Sequence, residues 1–267
     1  MDHRSIELRL RILKILEKSQ RGHIGSPLSI LEIVRVLYDD ILQFCPNNPD
    51  WDNRDRFILS KGHGCLAVYL LLADKGFISE DELYTFCKFE SRLGGHPEYS
   101  LPGIEAATGA LGHGLSIGTG IAKAAKIDNK SYRTFILVGD GECQEGEIWE
   151  AALFASKHKL DNLTVLIDYN KMQCYGTLDE VQNMHDLSYK WKSFGFEVKE
   201  CDGHNVSDLK QNLISLPYKK DKPSLLICHT QKGKGFSSMI NNPAWHHKSR
   251  MSNKDFEELY KDLEKNK

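Results

Sequence analysis

Along the first twenty residues, Ile6, Leu8, Leu10, Ile12, Leu13, Ile15 and Leu16 fall largely at helical spacing, and the pattern stops at Arg21-Gly22. That periodicity predicts an amphipathic helix. Farther along, short apolar runs rich in β-branched or aromatic residues recur at 56–60, 133–138, 163–168, 195–200 and 224–229. These are predicted strands, with helical stretches between most of them. Strand, helix, strand alternation predicts an α/β fold, a parallel sheet flanked by helices on both faces. Ser29 with Glu32, Ser79 with Glu82, and Ser252 with Asp255 each have the Ser-x-x-acid form of a capping box and predict three helix starts. No repeat, low-complexity tract or long linker divides the chain. Residues 1–267 therefore read as a single domain with a charged helical tail at about 252–267.

Composition narrows the function classes. At 267 residues and 40% hydrophobic content, the chain has ample material for a buried core. Its 35 basic and 37 acidic residues nearly cancel, so no global field favours nucleic acid or an acidic membrane surface. The seven cysteines are scattered singly without a C-x-x-C pair, which points to reduced thiols and a cytoplasmic protein. Arg4, Arg9, Arg11 and Lys14 interrupt any signal-peptide core. The longest uncharged apolar run, 65–73, is far below the roughly 20 residues of a membrane span.

Glycine and histidine keep company. Of 11 histidines, five follow a glycine directly (His23, His63, His96, His113 and His204), where random placement would give about one. Glycine lets backbone approach a ligand closely, and histidine supplies donors and a proton shuttle near neutral pH. The first four of these pairs suit loops around a charged small molecule; surface turns are the alternative.

The densest chemistry runs from Thr134 to Gly176. Asp140, between Gly139 and Gly141, follows one apolar run, and Asn170 follows the next, 30 residues on. That is about the length of a βαβ unit, and adjacent parallel strands would bring both side chains to the carboxyl edge where open α/β sheets bind ligands. One carboxylate, one amide oxygen and a backbone carbonyl near Met172 form an incomplete hard-oxygen site, suited to magnesium with phosphate oxygens completing its shell. A helix beginning near Gln144 would aim its N–H groups at the same place, making a diphosphate the economical ligand. A lone Gly-Asp-Gly is more often a plain turn; the spaced asparagine makes the pattern specific. No G-x-x-x-x-G-K-[ST] or G-x-G-x-x-G competes with it.

These residues resemble the thiamine diphosphate signature, and the surrounding words resemble transketolases. RGHIGSPLS at 21–29, DRFILSKGHG at 55–64, GGHPE at 94–98, TGALGHG at 108–114 and GDGECQEGEIWEA at 139–151 stand in the transketolase order. With KGKGFSSMINNPAWHH at 232–247, the resemblance covers nearly the whole chain. It spans only the first part of a full-length transketolase and matches the separately encoded N-terminal subunit of split enzymes. It implies a PP-type domain in which Asp140, Asn170 and the Met172 carbonyl hold Mg2+, with Ca2+ or Mn2+ as substitutes, and Gly139 and Gly141 approach the diphosphate. It further implies that His63 and His246 reach the diphosphate or donor sugar, that His23 and His96 contact substrate hydroxyls, and that Gly109 and Leu111 pack on the cofactor rings. Glu145 matches an acid at the family's subunit contact, or is simply an acid suited to a helix N-terminus. Ile24 stands where full-length enzymes often have proline, and His113 where they often have glutamine; either His246 or His247 could occupy the family position.

The activity implied is transfer of a two-carbon ketol unit from a ketose to an aldose acceptor, the sugars being phosphorylated or otherwise modified. The activating glutamate would come from a C-terminal partner subunit carrying the pyrimidine-binding domain, in a heterotetramer of two plus two. The alternatives are a deoxyxylulose phosphate synthase-like or 2-oxo acid dehydrogenase-like subunit, or a noncatalytic magnesium- or nucleotide-binding module on the same fold.

Overall fold

The structure, a computed structural model, describes residues 1–240, 242–245 and 251–265. Helix α1 (His3–Ser19) starts where the Asp2 carboxylate accepts the Ser5 N–H and stops where Gln20 turns left-handed at φ 54°. Leu8, Ile12, Leu13, Ile15 and Leu16 form its buried face, as the periodicity predicts. Helix α2 (Gly25–Val36) follows after a five-residue turn. Strand β1 (Arg56–Leu59) leads through the turn Gly62–Gly64 into α3 (Cys65–Asp74) and the short α4 (Glu80–Leu83). A long loop reaches α5 (His113–Ile127), then β2 (Thr134–Gly139), α6 (Gly146–Lys157) and β3 (Leu163–Tyr169). Helices α7 (Leu178–Gln182) and α8 (Leu187–Ser193) precede β4 (Glu197–Asp202), α9 (Val206–Ile214), β5 (Ser224–His229) and α10 (Asn253–Glu264).

The five strands among the described residues are all parallel, in the order β1-β2-β3-β5-β4. Side chains alternate across the sheet. Phe57, Leu59, Phe135, Leu137 and Leu166 join the core built with α1, α2 and α3, while Ile58, Ile136, Val138, Val165 and Ile167 join the core under α5, α6 and α8. Cover on both faces is why the central strands read as largely apolar runs. The fit of α5 is so close that a Cβ on Gly118 would lie 2.1 Å from Ile136 Cδ1. Strand β4 starts two residues later than its pattern suggests, because Gly195 turns at φ 92° and the ladder opens at Glu197 beside Ser224. It is an edge strand, and its exposed Lys199 and Glu200 suit that place.

Two of the three capping pairs act as caps. Ser252 and Asp255 form the reciprocal box at α10, and Ser79 accepts the Glu82 N–H at α4. Ser29 and Glu32 do not: the helix has already begun at Gly25, where Pro27 fits the first turn, and both residues lie buried within α2. The C-terminal helix is fastened to α1, burying Phe256, Leu259 and Leu263, with the Tyr260 hydroxyl donating to Glu17 at 2.7 Å.

Glu32 sits at the centre of a buried ionic chain. The Arg9 guanidinium grips its carboxylate at 2.5 and 3.0 Å, and His204 Nδ1 lies 2.9 Å from its second oxygen. Burial alone would raise the Glu32 pKa, but Arg9 and then His204 hold it well below the usual carboxylate range. A carboxyl lowered in the folded state contributes stability that is complete above its ordinary value of 4.5 and is lost as pH falls below it. Glu32→Gln should therefore cost about 3–5 kcal/mol near neutrality by leaving Arg9 buried without its counter-ion. The variant should also lose less stability than the wild type between pH 5 and pH 3, as urea denaturation at the two pH values would show. All seven cysteines are free. Among the described residues, no helix is long and apolar enough to cross a membrane.

Candidate functional site

Strands β2 and β3 are hydrogen-bonded neighbours with Gly139 opposite Asp168, so Asp140 and Asn170 leave the sheet side by side at its carboxyl edge. Asp140 is buried, its Oδ1 accepting the Gly141 N–H at 2.7 Å and its Oδ2 the Lys171 N–H at 2.5 Å. The Asn170 amide is fixed from both ends: Nδ2 donates to Asp168 at 2.8 Å, and Oδ1 accepts the Met172 N–H at 2.9 Å. The Met172 carbonyl accepts from Lys232 Nζ at 3.3 Å. Each of the three oxygens has a further lone pair to offer. Among the described residues, no group of three or more His, Cys, Asp or Glu gathers as a metal site. The donor set is instead one carboxylate, one amide and one carbonyl oxygen, which fits a hard cation that shares its shell with phosphate. Burial, and then the charge of Asp168, push the Asp140 carboxyl up to about 7. A divalent cation would reverse that penalty.

Asp168 was not singled out in the sequence, yet it organises this edge. It is fully buried, and its oxygens accept from Ser29 Oγ at 2.6 Å, from Asn170, from Lys61 Nζ and from Thr230 Oγ1. Burial opposes its charge, but Lys61 above all holds its carboxyl below the ordinary range. Four segments thus meet on one carboxylate: the exits of β1, β3 and β5, and helix α2. The available signal was an aspartate inside an apolar strand. Glu142 plays a similar part, accepting from Ser60 Oγ at 2.5 Å, the Gly112 N–H at 2.8 Å and the Gly139 N–H at 2.9 Å. By folding inward it closes the turn Gly141–Gln144, so α6 begins only at Gly146, with Glu145 as an exposed cap. The N–H groups nearest the site therefore belong to this single turn and not to a helix starting near Gln144.

Histidines form the opposite wall. The His23 ring lies 5.6 Å from that of His63 and 6.0 Å from that of His96. His63 rides on the turn Gly62–Gly64, which packs so tightly that a Cβ on Gly62 would sit 2.9 Å from the Thr108 carbonyl. Thr108 in turn donates to the Leu59 carbonyl at 2.7 Å, and Tyr69 to the His96 carbonyl at 2.8 Å. Gly109, at φ 148°, faces the His96 ring so closely that a Cβ would sit 3.1 Å from it. A cavity of about 590 Å³ lies between these walls. It is lined by His23, His63, His96, Gly109, Leu111, Gly139, Asp140, Gly141, Glu145, Asn170 and Met172, which are all the site residues proposed from the sequence that the structure describes. His246 and His247 lie outside the described residues. The cavity also receives Lys61, Lys232, Gln173 and Cys174, which sequence reasoning passed over. Burial, and then Lys61, lower the Lys232 pKa to about 8. Lys61, which contacts Asp168, and Lys232, which contacts the Met172 carbonyl, add two basic groups on the side of the oxygen donors, across from the three imidazoles, a lining matched to an anion.

Two glycine-linked histidines sit elsewhere. His113 is exposed and pairs with Glu147 at 2.9 Å, and His204 belongs to the buried chain on Glu32.

Comparison with known proteins matches this geometry. The family model described as "Transketolase, thiamine diphosphate binding domain" matches residues 2–266. An apulose-4-phosphate transketolase subunit of Phocaeicola vulgatus is 46% identical over 239 residues, covering 90% of this chain and 85% of that protein. A 6-deoxy-6-sulfo-D-fructose transketolase subunit of a Clostridium species is 38% identical over 238 residues, 89% of this chain and 86% of that one. The crystal structure of Campylobacter jejuni transketolase superposes with a TM-score of 0.89 at 29% identity, covering 99% of this chain but only 43% of that one. With a parallel sheet whose carboxyl edge carries oxygen donors and cationic side chains around one cavity, the chain belongs to the transketolase family as its thiamine diphosphate-binding domain.

Proposed function

We propose that this chain is the diphosphate-binding subunit of a two-subunit, magnesium-dependent transketolase that transfers a two-carbon ketol unit between sugars. The observation that carries the reading is the convergence of Asp140, Asn170 and the Met172 carbonyl on a cavity also lined by Lys61 and Lys232. The three oxygens would hold Mg2+, and Gly141, having no side chain, would let a diphosphate approach its backbone. His63, with His246, would approach the same diphosphate, and Gly109 and Leu111 would support the cofactor rings. Thiamine diphosphate supplies the carbanion-stabilising chemistry. This chain's own residues bind and orient. His23, within ring contact distance of both His63 and His96, is placed with His96 to hold sugar hydroxyls and to move a proton at them.

The active assembly is a heterotetramer of two such chains with two C-terminal partners. Glu145 lies at the open rim of the cavity, where a partner would complete it. The named sugars of the two relatives above are ketoses carrying a phosphate or a sulfonate. A ketose with an anionic far end is the substrate class we assign here. The chain forms a single domain with its C-terminal helix, and it works in the cytoplasm, consistent with seven unpaired thiols. The purified chain should show no ketol transfer with phosphorylated ketose donors or with pyruvate. Adding a pyrimidine-domain partner should restore transfer from the ketose and not from pyruvate. Strong activity of the chain alone, or restoration with pyruvate only, would overturn the reading.

A further inference from the structure

Between β5 and residue 236, the backbone carries Lys232 into the cavity on a short loop that contains neither helix nor strand. The loop is fixed from below by buried groups remote from the cavity lining. The Gln231 N–H donates to His204 Nε2 at 2.8 Å, which puts the ring proton on Nδ1, facing the Glu32 carboxylate at 2.9 Å. Glu32 is gripped by Arg9, whose Nε donates to the Lys234 carbonyl at 2.8 Å. Lys232 is thus bracketed by two contacts, one residue before it and two after it, that belong to a single ionic chain. The packing admits no slack. A Cβ on Gly235 would lie 2.8 Å from Arg9 Nε, and one on Gly25 would lie 3.2 Å from the Lys232 stem.

We infer that Arg9, Glu32 and His204 are positioning residues for the cofactor site: their buried chain sets the height of the 231–234 loop and so delivers the Lys232 ammonium to the diphosphate end of the cavity. This rests on the reading of that cavity as a diphosphate site. His204 is the informative member because its two nitrogens do different work. His204→Gln can place an amide oxygen near the old Nε2 and keep an acceptor for Gln231. His204→Asn places its amide near the old Nδ1, keeps a donor for Glu32, and leaves the Gln231 N–H without a partner. Both remove the same ring, so a difference in binding beyond what each loses in thermal stability reads on the Gln231 contact.

The test is calorimetric titration of the full-length chain with thiamine diphosphate in excess Mg2+, alongside thermal melting of each variant. His204→Asn should bind about tenfold more weakly than wild type, on the scale of one charge-assisted hydrogen bond lost at Lys232, while His204→Gln stays within about twofold. In a Lys232→Met background, His204→Asn should cause no further loss, because the effect runs through that ammonium. Arg9→Lys keeps the buried charge but cannot span Glu32 and the Lys234 carbonyl together. It should also weaken binding, and it serves if His204→Asn fails to fold. Wild-type affinity in folded His204→Asn and Arg9→Lys, or an undiminished effect of His204→Asn without Lys232, would overturn the inference while leaving the diphosphate reading intact. No binding by the wild-type chain, alone or with its partner, would overturn both.

Discussion

Asp140→Ala should leave the chain folded while reducing its Mg2+-dependent affinity for thiamine diphosphate by more than about 100-fold, beyond the 10- to 100-fold range expected for changes in groups that only support a metal ligand. Asp140 supplies the site's one anionic oxygen among its three donors, and an amide and a carbonyl alone hold a divalent cation weakly. The fold should survive because the carboxyl is a costly charge where it stands: burial and the neighbouring Asp168 push it up to about 7. Its two backbone partners, the N–H groups of Gly141 and Lys171, belong to turns with other anchors, such as Glu142. Circular dichroism and calorimetry on the same preparation separate the two effects. Unchanged affinity in Asp140→Ala would remove the metal site from the account.

Asp168→Ala should behave in the opposite way, destabilising the chain by about 3–5 kcal/mol, the usual cost of stripping one partner from a buried ion pair. That is a large share of the roughly 5–15 kcal/mol by which domains are stable. Lys61 would keep its charge at the end of β1, with side-chain exposure of only 3%. Ser29, Thr230 and the Asn170 amide would lose their acceptor at the same time. Because Asn170 is then free to rotate, cofactor affinity should fall as well, even at temperatures where the variant is folded. Urea denaturation gives the first number and calorimetry the second. A loss below about 1 kcal/mol would mean that Lys61 finds another counter-ion.

How much of this was legible in the sequence depends on the kind of pattern involved. The strands were legible because both faces of the sheet are covered, so the run from Phe135 to Val138 is apolar throughout. The pairing of Asp140 with Asn170 followed from spacing alone, since one βαβ unit brings two strand ends together. Ser29 and Glu32 misled for a physical reason. A Ser-x-x-Glu spacing that suits a helix start also places both side chains on one face of a helix interior, and Gly25 to Pro27 had already begun the turn. There the serine serves Asp168 and the glutamate serves Arg9 and His204. Lys61, Asp168 and Lys232 escaped because each acts through a partner distant in sequence. Lys61 and Asp168 are 107 residues apart, and no local pattern encodes such a contact. The excess of Gly-His pairs marked His23, His63 and His96, which line one cavity. It did not separate His204, whose glycine neighbour serves a turn beneath the sheet edge, or His113, which faces solvent.

The most direct test of the central claim is an equilibrium titration of the full-length chain with thiamine diphosphate, in Mg2+ and again after chelation, with and without the partner subunit. The account predicts saturable binding that requires the divalent ion, is strengthened by the partner and is absent in Asp140→Ala. Binding that is indifferent to chelation, or equal in Asp140→Ala and wild type, would contradict it.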